Sequence, residues 1–501
     1  MKTKNNIWIA IIIFSLFNSS CDDFINEEPV SKLTTENMWV GLRDAQAGIA
    51  GIYTTFRSTI LYNYWYWGEF RGDNFKPINA STSEPVKLMQ NSLDVTLSST
   101  LWTNLYKTIN AANAGIKYIP RCDISDVVLK NDLLGQAYAM RALCYFYATR
   151  VWGAVPVSLN PTESSNDLPI SGRVSRDSVL RYVIIPDLEK AEQYISPQNV
   201  SRKQISMLAV YAIRADVDMW LKNWERVNLY CDKFISLSNS QSPTTGTYGR
   251  CKFEMNIQTL SSIMSKGIDY TPSDFNYLID EYGGMNELVF VIPFYLKDWD
   301  QSSLIGPLFG GNQPPSGGGA YSLTNEFLGG LNSVGDLRYN WIVGNATSKN
   351  NLAKFVFPGT VIPYYSLRNC QQSYPIYRAT EIYLMKSEAN ANMNKYSDAL
   401  NIIKDYILTR AGIPSLVKKE SDFAKLPEDL VEYIQEQKRI EMVGEGKRFF
   451  DLARTGLWDK FLGTASTYSG NKIDDERKLL FPINYIHIDQ GRGLINQNWP
   501  Y

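Results

Sequence analysis

Histidine is almost missing from this chain. His487 is the single one in 501 residues, which removes histidine-rich metal centres and leaves any imidazole-based catalysis hanging on one position near the C-terminus. Charge of one sign is missing too. Fifty Lys and Arg against 51 Asp and Glu leave a net charge of -1, so nothing in the balance points to nucleic acid or an anionic membrane surface. Beyond the first twenty residues no apolar run approaches the roughly 20 residues that a membrane-spanning helix needs. A phosphate-binding loop is also lacking. Gly444-Glu445-Gly446-Lys447-Arg448 has neither the upstream glycine nor the Ser or Thr after the lysine. Ser415-Leu416-Val417-Lys418 spells Ser-x-x-Lys in isolation, in a segment that reads as loop. Carboxylates are plentiful, yet no two of them stand out as a glycosidase pair.

Cysteine is sparse, and its placement carries one message. Lys2 and Lys4, an apolar stretch over residues 7–17, and Ser19-Ser20 make a secretory signal that ends at Cys21. A cysteine there is the acylation site of a bacterial lipoprotein, and several acyl chains on one residue anchor stably. Asn18 stands where an aliphatic residue is common, so an ordinary cleaved signal with Cys21 merely nearby is the other reading. Cys122, Cys144, Cys231, Cys251 and Cys370 then form an odd and widely spaced set, which gives no disulfide framework. They read as small buried hydrophobes.

What the chain has in excess is aromatic surface: 31 Tyr, 21 Phe and 12 Trp, more than a core alone needs. Apolar residues at three-to-four spacing predict amphipathic helices over residues 101–119, 135–152, 176–194, 206–221, 225–237, 377–393, 397–410 and 430–443. Two of these regions share a plan. A helix from Ala209, the turn Asn223-Trp224 and a second helix are repeated by a helix from Thr380, the turn Asn394-Lys395-Tyr396 and a second helix. Small residues (Ala212, Ala215; Ala389, Ala391) allow close approach, and Trp224 and Tyr396 plug the turn. Such pairs bury their apolar faces only against the next pair, as in tetratricopeptide arrays. The fold class expected is therefore mostly α, with helix pairs as a scaffold, a loop-rich face and a few short strands. Glu287 to Phe294 is β-prone, residues 62–97 read as irregular, and the Gly- and Pro-rich residues 306–320 must be loop.

The residues also resemble a known family. Cys21-Asp22-Asp23-Phe24, Leu33-Thr34-Thr35-Glu36-Asn37-Met38-Trp39, Glu69 with Asp73-Asn74, and Ala139-Met140-Arg141-Ala142 are similar to the N-terminal motifs of SusD/RagB nutrient-binding lipoproteins of Bacteroidetes. Pro375-Ile376-Tyr377-Arg378 through Glu388-Ala389, Glu436-Gln437-Lys438-Arg439-Ile440-Glu441, Glu445 to Leu452 and Phe481-Pro482 resemble the C-terminal ones. The resemblance implies a signal over residues 1–20, an N-terminal region over 21–235, a loop-rich insert over 236–330 and a C-terminal region over 331–501, packed as one unit. It implies an outer-membrane lipoprotein, lipid-anchored through Cys21 and facing the exterior, that hands oligosaccharides or peptides to a TonB-dependent transporter of the SusC type. No cofactor and no catalysis are expected. Peptide capture is the alternative reading, and a surface glycoside hydrolase the more distant one.

Glycan capture needs aromatic platforms, because the C–H face of a sugar packs on an aromatic ring while polar side chains read its hydroxyls. Residues 62–67, Tyr-Asn-Tyr-Trp-Tyr-Trp, are the densest aromatic run. Either it packs beneath the following loop, or alternate members such as Trp65 and Trp67 differ in exposure and, with Tyr62, meet ligand. Tyr295 and Trp299, beside Lys297, Asp298 and Asp300, form a second cluster, and Tyr321 a third candidate. Arg71, Asp73 and Asn74 either donate and accept hydrogen bonds to ligand or brace the loop. The signature charges Arg378, Glu381, Glu388, Arg439, Glu441, Arg448 and Asp451 are expected to pair across packed helices rather than to catalyse.

Overall fold

The computed structural model describes residues 38–78, 82–164, 171–241, 287–293, 321–332, 335–343, 352, 374–466 and 470–501. Cys21, Cys251, Cys370, Tyr295, Trp299 and residues 306–320 lie outside them. Within them the chain is mostly helical, as its periodicity predicts.

The first long helix, α1 (Leu42–Gly68), is one that the spacing analysis leaves out. Asp44 caps it, its carboxylate accepting from the backbone N–H groups of Val40 (3.1 Å) and Gly41 (2.8 Å). Its buried stripe, Ala45, Ile49, Ile52, Phe56 and Ile60, keeps helical spacing and then runs straight into the aromatic cluster. Residues 62–67 are therefore helix and not irregular chain. A short strand β1 (Phe75–Pro77) and helix α2 (Glu84–Met89) follow inside the stretch expected to be irregular.

Helices α3 (Thr103–Tyr118) and α4 (Val127–Trp152) pack on α1. Asp126 caps α4 by accepting from Leu129 N–H, which starts the helix eight residues before the spacing suggests. From Leu133 to its end every residue of α4 except Tyr138 is buried. A helix buried all round is the core of its region. Its two arginines are matched: Arg141 grips Asp187 of α5 (Ile185–Tyr194) through two nitrogens at 2.8 and 2.7 Å, and Arg150 lies over the rings of Phe146, Tyr147 and Phe450.

The expected helix pairs are present as α6 (Met207–Trp220) with α7 (Trp224–Ser240), and α8 (Ala379–Asn392) with α9 (Tyr396–Ile402). Their turns have one geometry. Lys222 and Asn394 take positive φ (54° and 61°), and the next N–H reaches back five residues, Asn223 to Asp218 O (2.9 Å) and Lys395 to Asn390 O (2.8 Å). The pairs stack on one another through α7 and α8, where Asn228 donates to Asn390 Oδ1 (2.7 Å).

Two small antiparallel ribbons join distant segments. β2 (Leu288–Ile292) pairs with β4 (Tyr374–Arg378), and β1 pairs with β3 (Tyr321–Leu323), Phe75 opposite Leu323 and Pro77 opposite Tyr321. One apolar core runs from α1 through α4, α6, both ribbons and α8 to Ile495. Helices α10 (Glu428–Glu441) and α11 (Arg448–Thr455) complete the C-terminal side. Cys122, Cys144 and Cys231 are buried free thiols, each pushed up from its ordinary pKa by burial.

Candidate ligand-binding face

The aromatic run sits on the last two turns of α1, so its period is 3.6 rather than 2. Tyr64, Trp65 and Trp67 point inward; both tryptophans are 0 % exposed. The Trp65 indole donates to Gly444 O (2.9 Å), the Trp67 indole to Ser99 O (2.8 Å), and the Tyr64 hydroxyl to Pro375 O (2.7 Å). An indole so enclosed presents no face to a sugar, so the expectation that Trp65 and Trp67 differ in exposure and meet ligand is corrected to core packing. Tyr62 points outward, 46 % exposed, and Tyr66 is half-buried one helical turn later. Their ring centroids lie 6.1 Å apart at 42°. Tyr66 was missed in the sequence. The i, i+4 spacing from Tyr62 is the signal that finds it.

From this step the aromatics descend into the core. Tyr66 meets Phe70 (5.9 Å between centroids), and Phe70 meets Tyr321 (5.2 Å) and Phe75 (6.0 Å). Tyr321 is buried in the β1–β3 ribbon, which makes it a support for the face and not a platform on it. The Tyr66 and Tyr321 hydroxyls are held above their ordinary pKa by burial; Glu84, Tyr321 and Tyr62 add to the rise at Tyr66. Both therefore stay protonated, donors as well as acceptors, across any physiological range. The Glu84 carboxylate is committed to Ser98 and Ser99, taking their backbone N–H groups at 3.1 and 2.6 Å.

Arg71, Asp73 and Asn74 are braces. Arg71 is 1 % exposed, donates to the carbonyls of Leu479 and Lys478 (both 2.7 Å) and to Asn91 Oδ1 (2.9 Å), and covers the Phe449 and Phe481 rings. Asp73 is gripped by Arg448 through both oxygens (2.8 and 3.0 Å) and by Arg439 (3.0 Å). Burial pushes its carboxyl up, but the two guanidinium groups outweigh burial and hold it at about 2. Asn74, fully buried, donates to Glu69 (2.8 Å) and accepts from Arg439 (2.8 Å). Glu69 in turn accepts the N–H groups of Gly444 (3.2 Å) and Gly446 (3.1 Å). A Cβ at Gly68 would stand 1.8 Å from Gly446 O, and Gly446 itself has φ +65°, so this backbone crossing demands glycine on both sides. The loop after α1 is thus locked to α10 and α11 by charges, and none of the three side chains is available to a ligand.

The other signature charges pair as expected. Arg378 bridges Glu287 (2.7 Å) and Glu445 (2.9 Å), Arg410 bridges Glu287 (3.0 Å) and Glu441, Lys438 reaches Asp451 (2.9 Å) and Glu381 (3.3 Å), and Arg454 holds Glu388 (2.6 Å). Every carboxylate among these has a cationic partner within a buried network, which accounts for its burial without catalysis. His487 is likewise structural. Its Nε2 accepts from Trp102 N–H (3.1 Å), its ring stacks on the Trp102 indole at 4.8 Å, and burial lowers its pKa to about 4.

Two family models match the chain: the SusD family over residues 340–501, and a family of starch-binding proteins associating with the outer membrane over residues 23–218. The chain belongs to the SusD/RagB family. A SusD-like protein of Formosa agariphila is 26 % identical over 531 aligned residues and covers 100 % of both chains. A SusD superfamily crystal structure from Bacteroides thetaiotaomicron superposes with a TM-score of 0.70 at 20 % identity, covering 92 % of this chain and 99 % of that one. A structure of a laminarin-binding SusD-like protein gives a TM-score of 0.69 at 18 % identity, covering 92 % and 100 %. Membership of the family associates this chain with the outer membrane and with carbohydrate use, and the mostly helical fold with its stacked pairs is the SusD fold.

Proposed function

We propose that the chain captures a glycan on the outer surface of the cell and passes it to a SusC-type TonB-dependent transporter, held to the outer membrane by a lipid on Cys21. The observation that carries this reading is the Tyr62–Tyr66 step. Tyr62 is offered outward, with the half-buried Tyr66 beneath it, from the end of a helix whose other face is fixed by three buried aromatics and a charged lock. Rigid aromatic surface binds sugar at low entropic cost. Two similarities favour the same chemistry: a starch-binding family and a laminarin-binding structural neighbour. Binding would proceed by stacking and hydrogen bonding, without covalent chemistry and without a cofactor.

Affinity electrophoresis of the mature protein through gels containing starch or laminarin tests this, with released sugar assayed in parallel. Retardation by one glycan is expected to weaken about tenfold in the Tyr62→Ala/Tyr66→Ala variant, the loss of roughly one stacking contact, with no sugar released. Retardation unchanged by the double substitution removes the step from the site. No retardation by any glycan moves the reading to peptides, and released sugar ends the claim that no chemistry occurs.

A further inference from the structure

A second concavity lies far from the aromatic step. A cleft of about 490 Å³ opens between the first turns of α1, the first turns of α4 and residues 196–204. Gln46 on its wall is four and a half helical turns from Tyr62, about 24 Å at the rise of an α-helix. Its chemistry differs from that of the aromatic face. Gln46, Gln136, Gln198, Asn199 and Gln204 line it with Asp126 and Asp132 above a floor of Ile49, Leu129 and Leu133, and no aromatic ring takes part.

Some of these polar groups bond one another, the Ser196 hydroxyl donating to Gln198 Oε1 (2.7 Å), but the buried amide of Gln136 is not closed in this way. Gln136 is 3 % exposed, and its carbonyl accepts the Tyr53 hydroxyl (2.9 Å), whose oxygen in turn accepts the N–H of Ile205 (2.7 Å). That chain of bonds fixes which way the amide faces, and its Nε2 is left without a partner among the described residues. Asp132 holds the N–H of Ser196 with one oxygen, leaving the other. The side chains of Gln46 and Gln204 make no hydrogen bond among the described residues. A buried amide that served only the fold would be paired on both its atoms, and the exposed Gln46 and Gln204 stand free to turn toward a ligand. Carboxamides offer a donor and an acceptor at one site, which suits vicinal hydroxyls. Two carboxylates in the walls disfavour anions. The volume is at the small end of ligand sites.

We propose that this cleft is a second, aromatic-free site for a neutral saccharide of one or two sugar units, held by hydrogen bonds from Gln46, Gln136 and Gln204. It does not depend on the Tyr62–Tyr66 face being a glycan site. The test titrates maltose and laminaribiose into the mature protein and reads saturation-transfer NMR, with galacturonate as the anionic control. In the Tyr62→Ala/Tyr66→Ala protein at least one of the two disaccharides still binds. Adding Gln46→Ala and Gln204→Ala, both on the surface, weakens that binding about tenfold, the loss of two modest hydrogen bonds, and galacturonate does not compete. Two results overturn the proposal: no signal from either disaccharide in the tyrosine variant, or a signal that the two glutamine substitutions leave unmoved. Failure of the aromatic face looks different. Wild type and the tyrosine variant would then bind equally, and the glutamine substitutions alone would remove binding.

Discussion

Asp218, buried in α6, and Asp73, nearly buried in the loop after α1, are both carboxylates beside two arginines, and they respond oppositely. At Asp218 one oxygen meets Arg214 (2.9 Å), Arg226 stands off at 3.7 Å, and Oδ1 has no hydrogen-bond partner. Burial wins there, and the carboxyl is raised above its ordinary pKa. At Asp73 both oxygens are bonded, one guanidinium grips them side by side, and the arginines win over burial. Two close cations outweigh burial at Asp73, and one close and one distant cation do not at Asp218. The number of close cations divides the other pair as well. Asp187, held by Arg141 alone through both oxygens, is raised by burial, whereas Asp451, flanked by Lys438 and Arg454, is lowered although it is buried. The helix pairs stand on apolar packing and carry their charges as a burden. The junction between the early loop and helices α10 and α11 stands on its charges.

Removing one arginine from each site breaks that comparison most directly. Arg448→Met leaves Asp73 with Arg439 alone and takes from Glu436 its contact with Arg448 at 3.0 Å, so it should cost about 3–5 kcal/mol, the usual cost of breaking a buried pair. Arg214→Met should cost less, about 1–3 kcal/mol, because a carboxyl already raised can take a proton instead. Urea unfolding at pH 7 measures both. Equal losses would mean that Asp73 gains nothing from its two-oxygen grip.

The pH profile sharpens the same contrast. Two groups in the charged and aromatic junctions have lowered pKa values, His487 at about 4 against an ordinary 6.5 and Asp73 at about 2 against 3.8. In both cases the unfolded chain binds the proton more readily. Their stabilisation is full above the unfolded pKa and is lost as pH falls toward the folded one. His487 should therefore give up about 3 kcal/mol between pH 6.5 and 4, and Asp73 about 2 kcal/mol between pH 4 and 2. Asp187 and Asp218 act with the other sign. Their raised pKa favours folding below the unfolded value and is lost as pH rises through the folded one, so they soften the acid limb. His487→Gln should flatten the upper step and Asp73→Asn the lower one in denaturation midpoints measured across pH. A profile unchanged by either would place the titrating groups elsewhere.

How much of this was readable beforehand follows from which interactions are local. The helices α3, α4, α6, α7, α8 and α10 show in the three-to-four spacing because each buries a continuous stripe, and the paired turns show because Asn223-Trp224 and Lys395-Tyr396 repeat a local plan. Helix α1 was hidden by its own aromatic end. A run such as residues 62–67 has no polar phase, so alternate and helical spacing fit it equally well, and only the packing of Trp65 against Gly444 chooses between them. Asp73 and Asn74 were visible as motif residues, but the C-terminal groups that lock them and Arg71 lie 365 to 408 positions away, and no spacing rule reaches that far. The cleft was invisible for the same reason, since its walls come from three separated segments. Tyr295 and Trp299 were read from local composition alone and lie outside the described residues.

The smallest effect belongs to the helix pairs, where geometry is shared and the residue is not. Lys222 and Asn394 occupy equivalent turns with φ of 54° and 61°. Asparagine tolerates this left-handed conformation better than lysine does, because its short amide can bond locally while lysine bears the full Cβ clash. Glycine relieves the strain at both but also loosens the unfolded chain. Lys222→Gly should therefore stabilise the protein by about 0.5–1 kcal/mol, and Asn394→Gly should change it by no more than a few tenths of a kcal/mol. Thermal midpoints of the two variants read the difference, and neither substitution should alter the pH profile, since neither touches a buried charge. If Asn394→Gly gained as much as Lys222→Gly, the two turns would carry equal strain, and the advantage of asparagine at the second pair would be absent.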